Sequence, residues 1–223
     1  AKKEWDITNP LTIDHFLQRY SGGTNGRIIA QYKRFLEERP EHVVTLHDHK
    51  FNTIGKCVVK EQCRDIFFYV SSTDELRVVT SSGRLFLFQG ETVVSNLPIL
   101  CPDLEPIEEN QNEQESTPKQ KRNREIINVA FWETGFVYID RDGYVVEYQI
   151  DQSNIQAFDT NKNEEYIKNV EPQKNHRSKV LSRDLKSIGI PICFEVIPPE
   201  YTGLPNDSPY VFVAGSDKTI YIL

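Results

Sequence analysis

Three histidines and an aspartate lie close together, and their types and spacing suit metal chemistry better than any other group in the chain. His47 and His49 flank Asp48, and His42 lies five residues before His47. Alternate residues of an extended strand share a face, so His47 and His49 can reach one ion. A site also needs a third ligand, and no spacing supplies one. The main interpretation is a polar loop beside a strand, and the alternative is a metal-dependent hydrolase using His47 and His49.

The other groups that could carry chemistry point to structural roles. Gly22-Gly23-Thr24-Asn25-Gly26 lacks the preceding strand and the following Lys-Ser/Thr pair of a phosphate-binding loop. Asp140 and Asp142 form a carboxylate pair, but both lie in a predicted hairpin turn, where Asp is favoured. No serine or cysteine carries the signature of a nucleophile. The sequence therefore predicts no catalytic residue, no metal and no cofactor.

The four cysteines fit no zinc pattern, because no two of them are separated by only two residues. They are Cys57, Cys63, Cys101 and Cys193. We expect buried thiols in a reducing, intracellular compartment. A disulfide between Cys57 and Cys63 is the alternative.

Composition narrows the class of protein. The chain has 223 residues, a formal net charge of −7, and 12 Phe and 10 Tyr, an aromatic content that suits β-sheets. Affinity for nucleic acids comes mostly from neutralising phosphates, so this charge argues against direct nucleic-acid contact. No apolar run is long enough to predict a membrane-spanning helix.

The first forty residues carry apolar side chains at helical spacing and are predicted to form a helical hairpin, residues 1–40. One helix starts after Asn9-Pro10; the second follows the Ser21-Gly22-Gly23 break and ends before Pro40. Helices this short must lay their apolar stripes on a β core or on a partner. The stripes are Ile13, Phe16, Leu17 and Tyr20, then Ile28, Ile29, Tyr32, Phe35 and Leu36.

From residue 41 onward the apolar residues follow the period of β-strands, and one pattern occurs three times, at residues 76–88, 136–148 and 211–223. Each copy has two β-prone runs around a polar turn. Two of the turns contain Ser-Gly or Asp-Gly. Such a pair predicts a hairpin, because Gly reaches the positive φ that the turn needs. Three hairpins of one length indicate a repeated unit. The predicted fold class is therefore mainly β, with antiparallel meanders of about four strands. Further strands are predicted at 43–46, 52–59, 65–71, 92–95, 126–131, 155–159 and 190–197.

Two polar stretches interrupt this β domain of residues 41–223. Residues 104–124 contain five glutamates followed by a basic run, Lys119 to Arg124. Such a segment cannot bury enough apolar surface to offset the entropy of ordering it, so we predict a disordered insertion. Residues 161–187 are predicted to be a second polar insertion. The basic residues of these loops support one alternative function, a β-rich domain that binds nucleic acid or an anionic ligand.

The third hairpin resembles the second and third strands of a WD-repeat blade. In residues 213–222, a strand ending in small residues leads into a Ser-Asp turn, then Thr-Ile and an alternating apolar strand. Residues 80–88 and 140–146 are weaker versions, and no copy ends in Trp-Asp. The resemblance implies a β-propeller-like fold and a role in protein–protein interaction. Three units are too few to close a propeller, which leaves three alternatives: a fragment of a longer protein, an incomplete propeller that another chain completes, or a different meander fold.

Together these features predict a non-catalytic interaction scaffold, a propeller-like subunit or segment of a larger complex in the nucleus or cytoplasm. We expect protein partners, without direct contact with nucleic acid or membrane. An uncovered apolar strand is a template for pairing with another chain. The predicted partner-binding residues form such an edge strand: Thr219, Ile220, Tyr221, Ile222 and Leu223.

Overall fold

The computed structural model describes residues 16–23, 26–35, 38–99, 125–150, 177–182, 185, 191–203, 209–215 and 218–223. These residues form fifteen β-strands and one short helix, α1 (Pro199–Thr202). The strands are β1 (Phe16–Gly22), β2 (Ile29–Phe35), β3 (His42–His47), β4 (Thr53–Val59), β5 (Ile66–Val70), β6 (Glu75–Thr80), β7 (Arg84–Gln89), β8 (Thr92–Pro98), β9 (Ile126–Trp132), β10 (Gly135–Asp140), β11 (Val145–Gln149), β12 (Arg177–Ser182), β13 (Pro191–Ile197), β14 (Tyr210–Gly215) and β15 (Ile220–Ile222).

The strands form four antiparallel sheets, each made of consecutive strands of the chain. The first sheet contains β1–β4, the second β5–β8, the third β9–β12 and the fourth β13–β15. A four-stranded meander is the repeating unit of propeller blades, so the prediction of a mainly β chain built from such meanders is confirmed. The three hairpins found in the sequence are β6–β7, β10–β11 and β14–β15, the second and third strands of their sheets. The predicted count of three units is wrong, because the described residues contain four sheets.

The predicted helical hairpin of residues 1–40 is wrong wherever the structure describes it. Its place is taken by β1 and β2, which pair antiparallel from Phe16 opposite Phe35 to Gly22 opposite Ile29. The glycines form the turn of this β-hairpin: Gly23 N donates to Ile28 O at 2.9 Å. Apolar residues in so short a segment fit both periods, and pairing with β3 decides for the strand. The first fifteen residues, with Asn9-Pro10 and Ile13, lie outside the described residues.

The two predicted insertions have different outcomes. Residues 104–124 lie outside the described residues, as does the predicted strand at 155–159. The second stretch, residues 161–187, contains a strand at its C-terminal end, because β12 pairs antiparallel with β11. This segment has few apolar residues, and backbone hydrogen bonding to a neighbouring strand, which composition does not reveal, extends the third sheet there.

The chain divides into two compact units, residues 1–78 with 87–93 and residues 79–86 with 94–223. In the first unit, β1 and β2 of the first sheet lie against β5. An ion pair joins these elements: Arg19 Nη2 lies 2.5 Å from Asp65 Oδ2, and Arg19 Nη1 donates to Ile66 O at 2.8 Å. The same guanidinium lies over the ring of Phe67. Arg34 Nε also lies 3.2 Å from Asp65 Oδ2 but is not aligned to donate a hydrogen bond.

In the second unit, an apolar core joins the third and fourth sheets. One face of the third sheet packs against one face of the fourth, and buried Leu185 joins them. Branched and aromatic side chains that interdigitate in this way are typical of sheets stacked face to face. The core contains Ala130, Trp132, Val137, Ile139, Val145, Leu185, Phe194, Val211 and Val213.

The sheets differ in how many of their faces are buried. All six residues of β6 and all six of β10 are buried, so the second and third sheets are covered on both faces. In β3 and β14, by contrast, buried residues alternate with more exposed ones. Among the described residues, the first and fourth sheets therefore each have one face that is less buried than the other.

Gly135, at the start of β10, is required by close packing. A Cβ placed there would lie 2.5 Å from Tyr148 O and 2.7 Å from Trp132 Cζ2. We expect Gly135→Ala to lower the free energy of unfolding by about 1–3 kcal/mol, since the clash involves a backbone oxygen that cannot move aside. Denaturant titration measures this loss. The matched control is Gly22→Ala in β1, where a Cβ meets nothing within 4 Å; equal effects of the two variants would contradict the packing argument.

Candidate interaction surfaces

The outward face of the first sheet carries a row of polar side chains that crosses its four strands. His47 Nε2 lies 3.1 Å from Gln31 Oε1, and Gln31 Nε2 donates to the Tyr20 hydroxyl at 2.8 Å. On its other side, His47 Nδ1 lies 3.5 Å from Thr53 Oγ1. Both ring nitrogens of His47 therefore face side chains of its own sheet.

The remaining members of the predicted metal cluster have separate structural roles. Asp48 holds the β3–β4 turn, since its Oδ1 accepts hydrogen bonds from Lys50 N at 2.8 Å and Asn52 N at 2.9 Å. The Asn52 side-chain amide also donates to Asp48 and is the largest cause that lowers the pKa of this carboxyl group. Within the described residues, no three His, Cys, Asp or Glu side chains converge to hold a metal ion. The geometry therefore gives no support to the hydrolase alternative based on His47 and His49.

His42 lies on the opposite face of β3, in a buried hydrogen-bonded cluster. Its Nδ1 lies 2.7 Å from the Tyr32 hydroxyl, and its Nε2 lies 3.0 Å from Cys63 O and 3.1 Å from Cys63 Sγ. Burial lowers the pKa of His42, because desolvation penalises the imidazolium. Burial also raises the pKa of Tyr32. This cluster of neutral side chains links the first sheet to the segment before β5.

A groove of about 590 Å³ follows the outward face of the first sheet to the β2–β3 connection. Its lining includes the polar side chains of Thr45 and His47, the cations Lys33 and Arg39, and the anion Glu41. Charges of both signs lie close together, so the groove has no clear electrostatic preference for one class of ligand.

Two of the cysteines follow the interpretation of buried thiols. Cys57 and Cys63 are both buried, and neither forms a disulfide. Cys57 Sγ donates to Gly90 O at 3.1 Å, and burial raises its pKa to about 12. Burial disfavours the thiolate, so nothing around Cys57 activates it as a nucleophile in the described residues. Cys101 and the side chain of Cys193 lie outside the description.

The structure does not test the alternative of anion or nucleic-acid binding. The basic run Lys119 to Arg124 and most of residues 161–187 lie outside the described residues, so this alternative stays a prediction. Within the described part of the chain, no helix is long and apolar enough to cross a membrane.

The outward face of the fourth sheet is mostly apolar, with one charged residue, Glu195 of β13, lying opposite Phe212 in the described strands. Phe212 in β14 lies opposite Ile222 in β15, and Ala214 lies opposite Ile220. At the other end of the sheet, Ile197 of β13 lies opposite Tyr210 of β14. Ile220 and Ile222 are 68% and 62% exposed. These side chains form a contiguous apolar patch, which we call the sheet-four face: Ile197, Tyr210, Phe212, Ala214, Ile220 and Ile222.

The predicted partner-binding residues, Thr219 to Leu223, form the last strand of the fourth sheet and its flanks. Among the described strands of this sheet, β15 pairs with β14 and comes last in the order. Tyr221 and Leu223 turn inward and pack partly buried on the core between the third and fourth sheets. Only Ile220 and Ile222 direct apolar side chains outward.

Several residues of the two open faces escaped sequence reasoning. Tyr20 and Val43, on the first sheet, are 54% and 41% exposed, but Tyr20 had been assigned to a helix stripe. Tyr210 and Phe212 share a parity opposite to that of the buried Val211 and Val213. That alternation is visible in the sequence and could have identified the sheet-four face.

Glu147 of β11 is a carboxyl group on the face of the third sheet that packs against the fourth. It is buried two residues from the core residue Val145, and the Gln149 amide donates to its Oε1 at 3.1 Å. Burial raises the pKa of Glu147, and the Gln149 hydrogen bond and nearby Lys179 only partly oppose this.

Comparisons with known proteins add little beyond this geometry. No protein-family model matches the chain, and no curated protein matches it. Among solved structures, the chain is similar to a crystal structure of BBS1N in complex with ARL6DN, with 7% sequence identity and a TM-score of 0.48. The match covers 92% of this chain and 50% of the other, so this chain spans about half its length. Function therefore has to be inferred from the surfaces of this chain itself.

The depressed pKa of His42 makes stability fall in acid. As pH drops below the unfolded-state pKa of about 6.5, the unfolded chain takes up a proton that the folded chain resists, so folding loses stability. We expect His42→Gln to flatten the decline in unfolding free energy between pH 7 and pH 5, measured by urea titration at each pH. His49→Gln, in the exposed β3–β4 turn, is the control and should leave the decline unchanged; an unaltered slope in His42→Gln would refute the assignment.

The effect of Glu147 on stability has the opposite dependence on pH. The pKa of this carboxyl group is raised on folding, so its penalty is absent in acid and grows as pH rises above the unfolded value near 4.5. We expect Glu147→Gln to be more stable than the wild type at pH 7, with the gap closing toward pH 4.5. Thermal unfolding across this range measures the gap. Glu195→Gln, on the exposed side of β13, should show none, and a pH-independent gap for Glu147→Gln would contradict the assignment.

Proposed function

We propose that this chain is a non-catalytic protein–protein interaction module, a propeller-like segment of a larger intracellular assembly in the nucleus or cytoplasm. The proposal rests on the positions of the exposed large apolar side chains. All nine within the described residues belong to the first and fourth sheets or to the turns and helix beside them. They are Tyr20, Val43, Phe51, Ile54, Ile197, Tyr201, Tyr210, Ile220 and Ile222.

The sheet-four face is the stronger of the two surfaces. On the first sheet, apolar residues are interspersed with Gln31, Thr45 and His47, whereas in the described strands of the fourth sheet the apolar side chains of the sheet-four face surround a single charged residue, Glu195. A contiguous exposed apolar patch is typical of a site that a partner covers. Burying one Ile side chain contributes about 1.5–3 kcal/mol, so a few such residues give useful affinity.

The other face of the same sheet indicates the class of partner. There, Phe194, Val211 and Val213 pack against a β-sheet, the third one. Apart from Glu195, the described residues of the outward face present the same kinds of side chain at the same period-two spacing. Another β-sheet protein or subunit, completing the stack of meanders, fits this surface best.

The non-catalytic part of the proposal is supported by the roles of the groups that first suggested chemistry. His47 and His42 are held in hydrogen bonds within the fold, Asp48 and Asp140 hold turns, and Cys57 is a buried thiol. Asp140 Oδ1 accepts from Tyr144 N at 2.9 Å across the β10–β11 turn. Each of these groups thus has a structural task in the described residues.

A paired-variant experiment tests the proposal. Ile197→Thr with Tyr210→Ser makes the sheet-four face polar while keeping β-prone or small residues. Removing about 2 kcal/mol of apolar contact weakens binding by roughly thirtyfold. We therefore expect proteins that co-purify with the tagged wild-type chain to be largely lost with this variant, as quantified by mass spectrometry.

The matched control changes one exposed β-branched residue and one exposed tyrosine of the first sheet, Val43→Thr with Tyr20→Ser, and should retain the partners. Thermal unfolding of both variants checks that folding is intact. Recovery of the same proteins by all three chains would contradict a role for the sheet-four face. Loss only in the first-sheet variant would move the interaction to the first sheet.

A further inference from the structure

The buried cluster of His42, Tyr32 and Cys63 joins two segments that backbone pairing holds unequally. β3, which begins with His42, pairs with β2 and along its whole length with β4. The segment that contains Cys63 connects β4 to β5, and the backbone pairing described for it is an isolated bridge to Arg39. A segment with so little backbone pairing opens locally at a lower cost than the sheet beside it.

The contacts of the His42 ring determine which of its nitrogens carries the hydrogen. Nε2 lies 3.0 Å from Cys63 O, and a carbonyl oxygen can only accept, so Nε2 is the donor. Nδ1 then has the lone pair and accepts from the Tyr32 hydroxyl at 2.7 Å. Cys63 Sγ lies 3.1 Å from the same Nε2 and donates to Asp65 O at 3.4 Å. The neutral imidazole therefore has a suitable partner at both nitrogens.

A second proton on this ring conflicts with the hydroxyl beside it. Protonated Nδ1 would be a donor, and the Tyr32 hydroxyl would have to accept from it and turn its own hydrogen elsewhere. Tyr32 is 2% exposed, and among the described residues its hydroxyl is hydrogen-bonded to His42. The Tyr32 ring also packs edge-on against Phe68, which limits its movement. A buried donor without an acceptor is unfavourable, so protonation disfavours the closed cluster.

The charged groups around the ring only partly offset this cost. Asp65 and Glu61, from the β4–β5 segment, favour the imidazolium, whereas Arg39, from the β2–β3 connection, disfavours it. The Asp65 carboxylate is itself paired with Arg19 of β1 and lies 3.2 Å from Arg34 of β2. Burial outweighs these charges and lowers the pKa of the imidazole.

We propose that His42 is a pH-sensitive latch, whose protonation releases the β4–β5 segment around Cys63 from the first sheet while the sheet stays folded. Acid thereby gives solvent access to the Cys63 thiol, which is 4% exposed in the closed state. The latch does not depend on the proposed interaction function. Cys57 is the internal control, because it lies within β4 opposite Val44 of β3 and is reached when the sheet itself opens.

Thiol labelling of the full chain with a pyridyl disulfide tests the latch. Mass spectrometry of the labelled peptides gives a separate rate for Cys63 and for Cys57 at each pH between 7.5 and 5.5. Dividing the rate in the urea-unfolded chain by the rate in the folded chain gives a protection factor for each thiol. This ratio cancels the pH dependence of the reagent, and ordinary carboxyl groups do not titrate in this range.

We expect Cys63 to be at least tenfold less protected than Cys57 at every pH, because its segment opens locally. Its protection factor should fall at least threefold between pH 7.5 and pH 5.5. The ceiling is about tenfold, set by the pKa near 6.5 of the imidazole in the open segment. His42→Gln should remove this decline, and His49→Gln, in the exposed β3–β4 turn, should keep it.

Three results would overturn the latch. Equal protection of Cys63 and Cys57 would mean that exposure requires unfolding of the sheet. A protection factor of Cys63 that is constant with pH would show that protonation does not open the segment, and a decline that persists in His42→Gln would assign it to another group. If circular dichroism shows that His42→Gln is unfolded, hydrogen exchange of the wild type decides: the latch requires acid to lower protection in residues 60–65 more than in β3 and β4.

Discussion

Central strands that are buried on both faces are the constraint on which the rest of this structure depends. In β10, Val137 packs into the core shared with the fourth sheet, while Phe136 stacks on Tyr148 on the opposite face, with ring centroids 4.9 Å apart. Each buried side chain of this size contributes about 1.5–3 kcal/mol, but only if something covers its face. A single antiparallel meander cannot cover both of its own faces. The stability of each sheet therefore depends on the elements that cover its faces. A sheet with one open face still has apolar surface that nothing described covers.

The elements that could be predicted from the sequence are those determined by local residue types, such as the residues of a tight turn. The β6–β7 and β10–β11 hairpins turn at Gly83 and Gly143, whose φ values of 89° and 82° explain the Ser-Gly and Asp-Gly pairs. Glycines also lie between β1 and β2, but the apolar residues on both sides fit a helical period as well, so they were taken as a break between helices. Only β1 and β2 of the first sheet were therefore assigned to helices, and pairing with β3, a non-local interaction, decided otherwise. β12 was missed for a related reason, since its contribution is mostly backbone.

The candidate sites also combine features that the sequence predicts with features that only the structure shows. The separation of His42 from His47 follows from their odd spacing in one strand, which places them on opposite faces. Their partners, Tyr32 and Gln31, could not be predicted once residues 28–36 had been taken as a helix. The edge at Thr219 to Leu223 was visible as an apolar run. Which of its residues point outward depends on the ladder to β14, and that register is known only from the structure.

The two open faces differ in what they offer a partner. On the first sheet, His47, Gln31 and Tyr20 form a hydrogen-bonded row, so part of that face is already engaged within the fold. On the fourth sheet, Ile220 and Ile222 are 68% and 62% exposed, and Glu195 lies on the same face, opposite Phe212. Apolar surface contributes affinity in proportion to the area buried, whereas a buried charge without a partner costs stability. The apolar side chains therefore supply affinity for many partners, and Glu195 selects those that provide a complementary group.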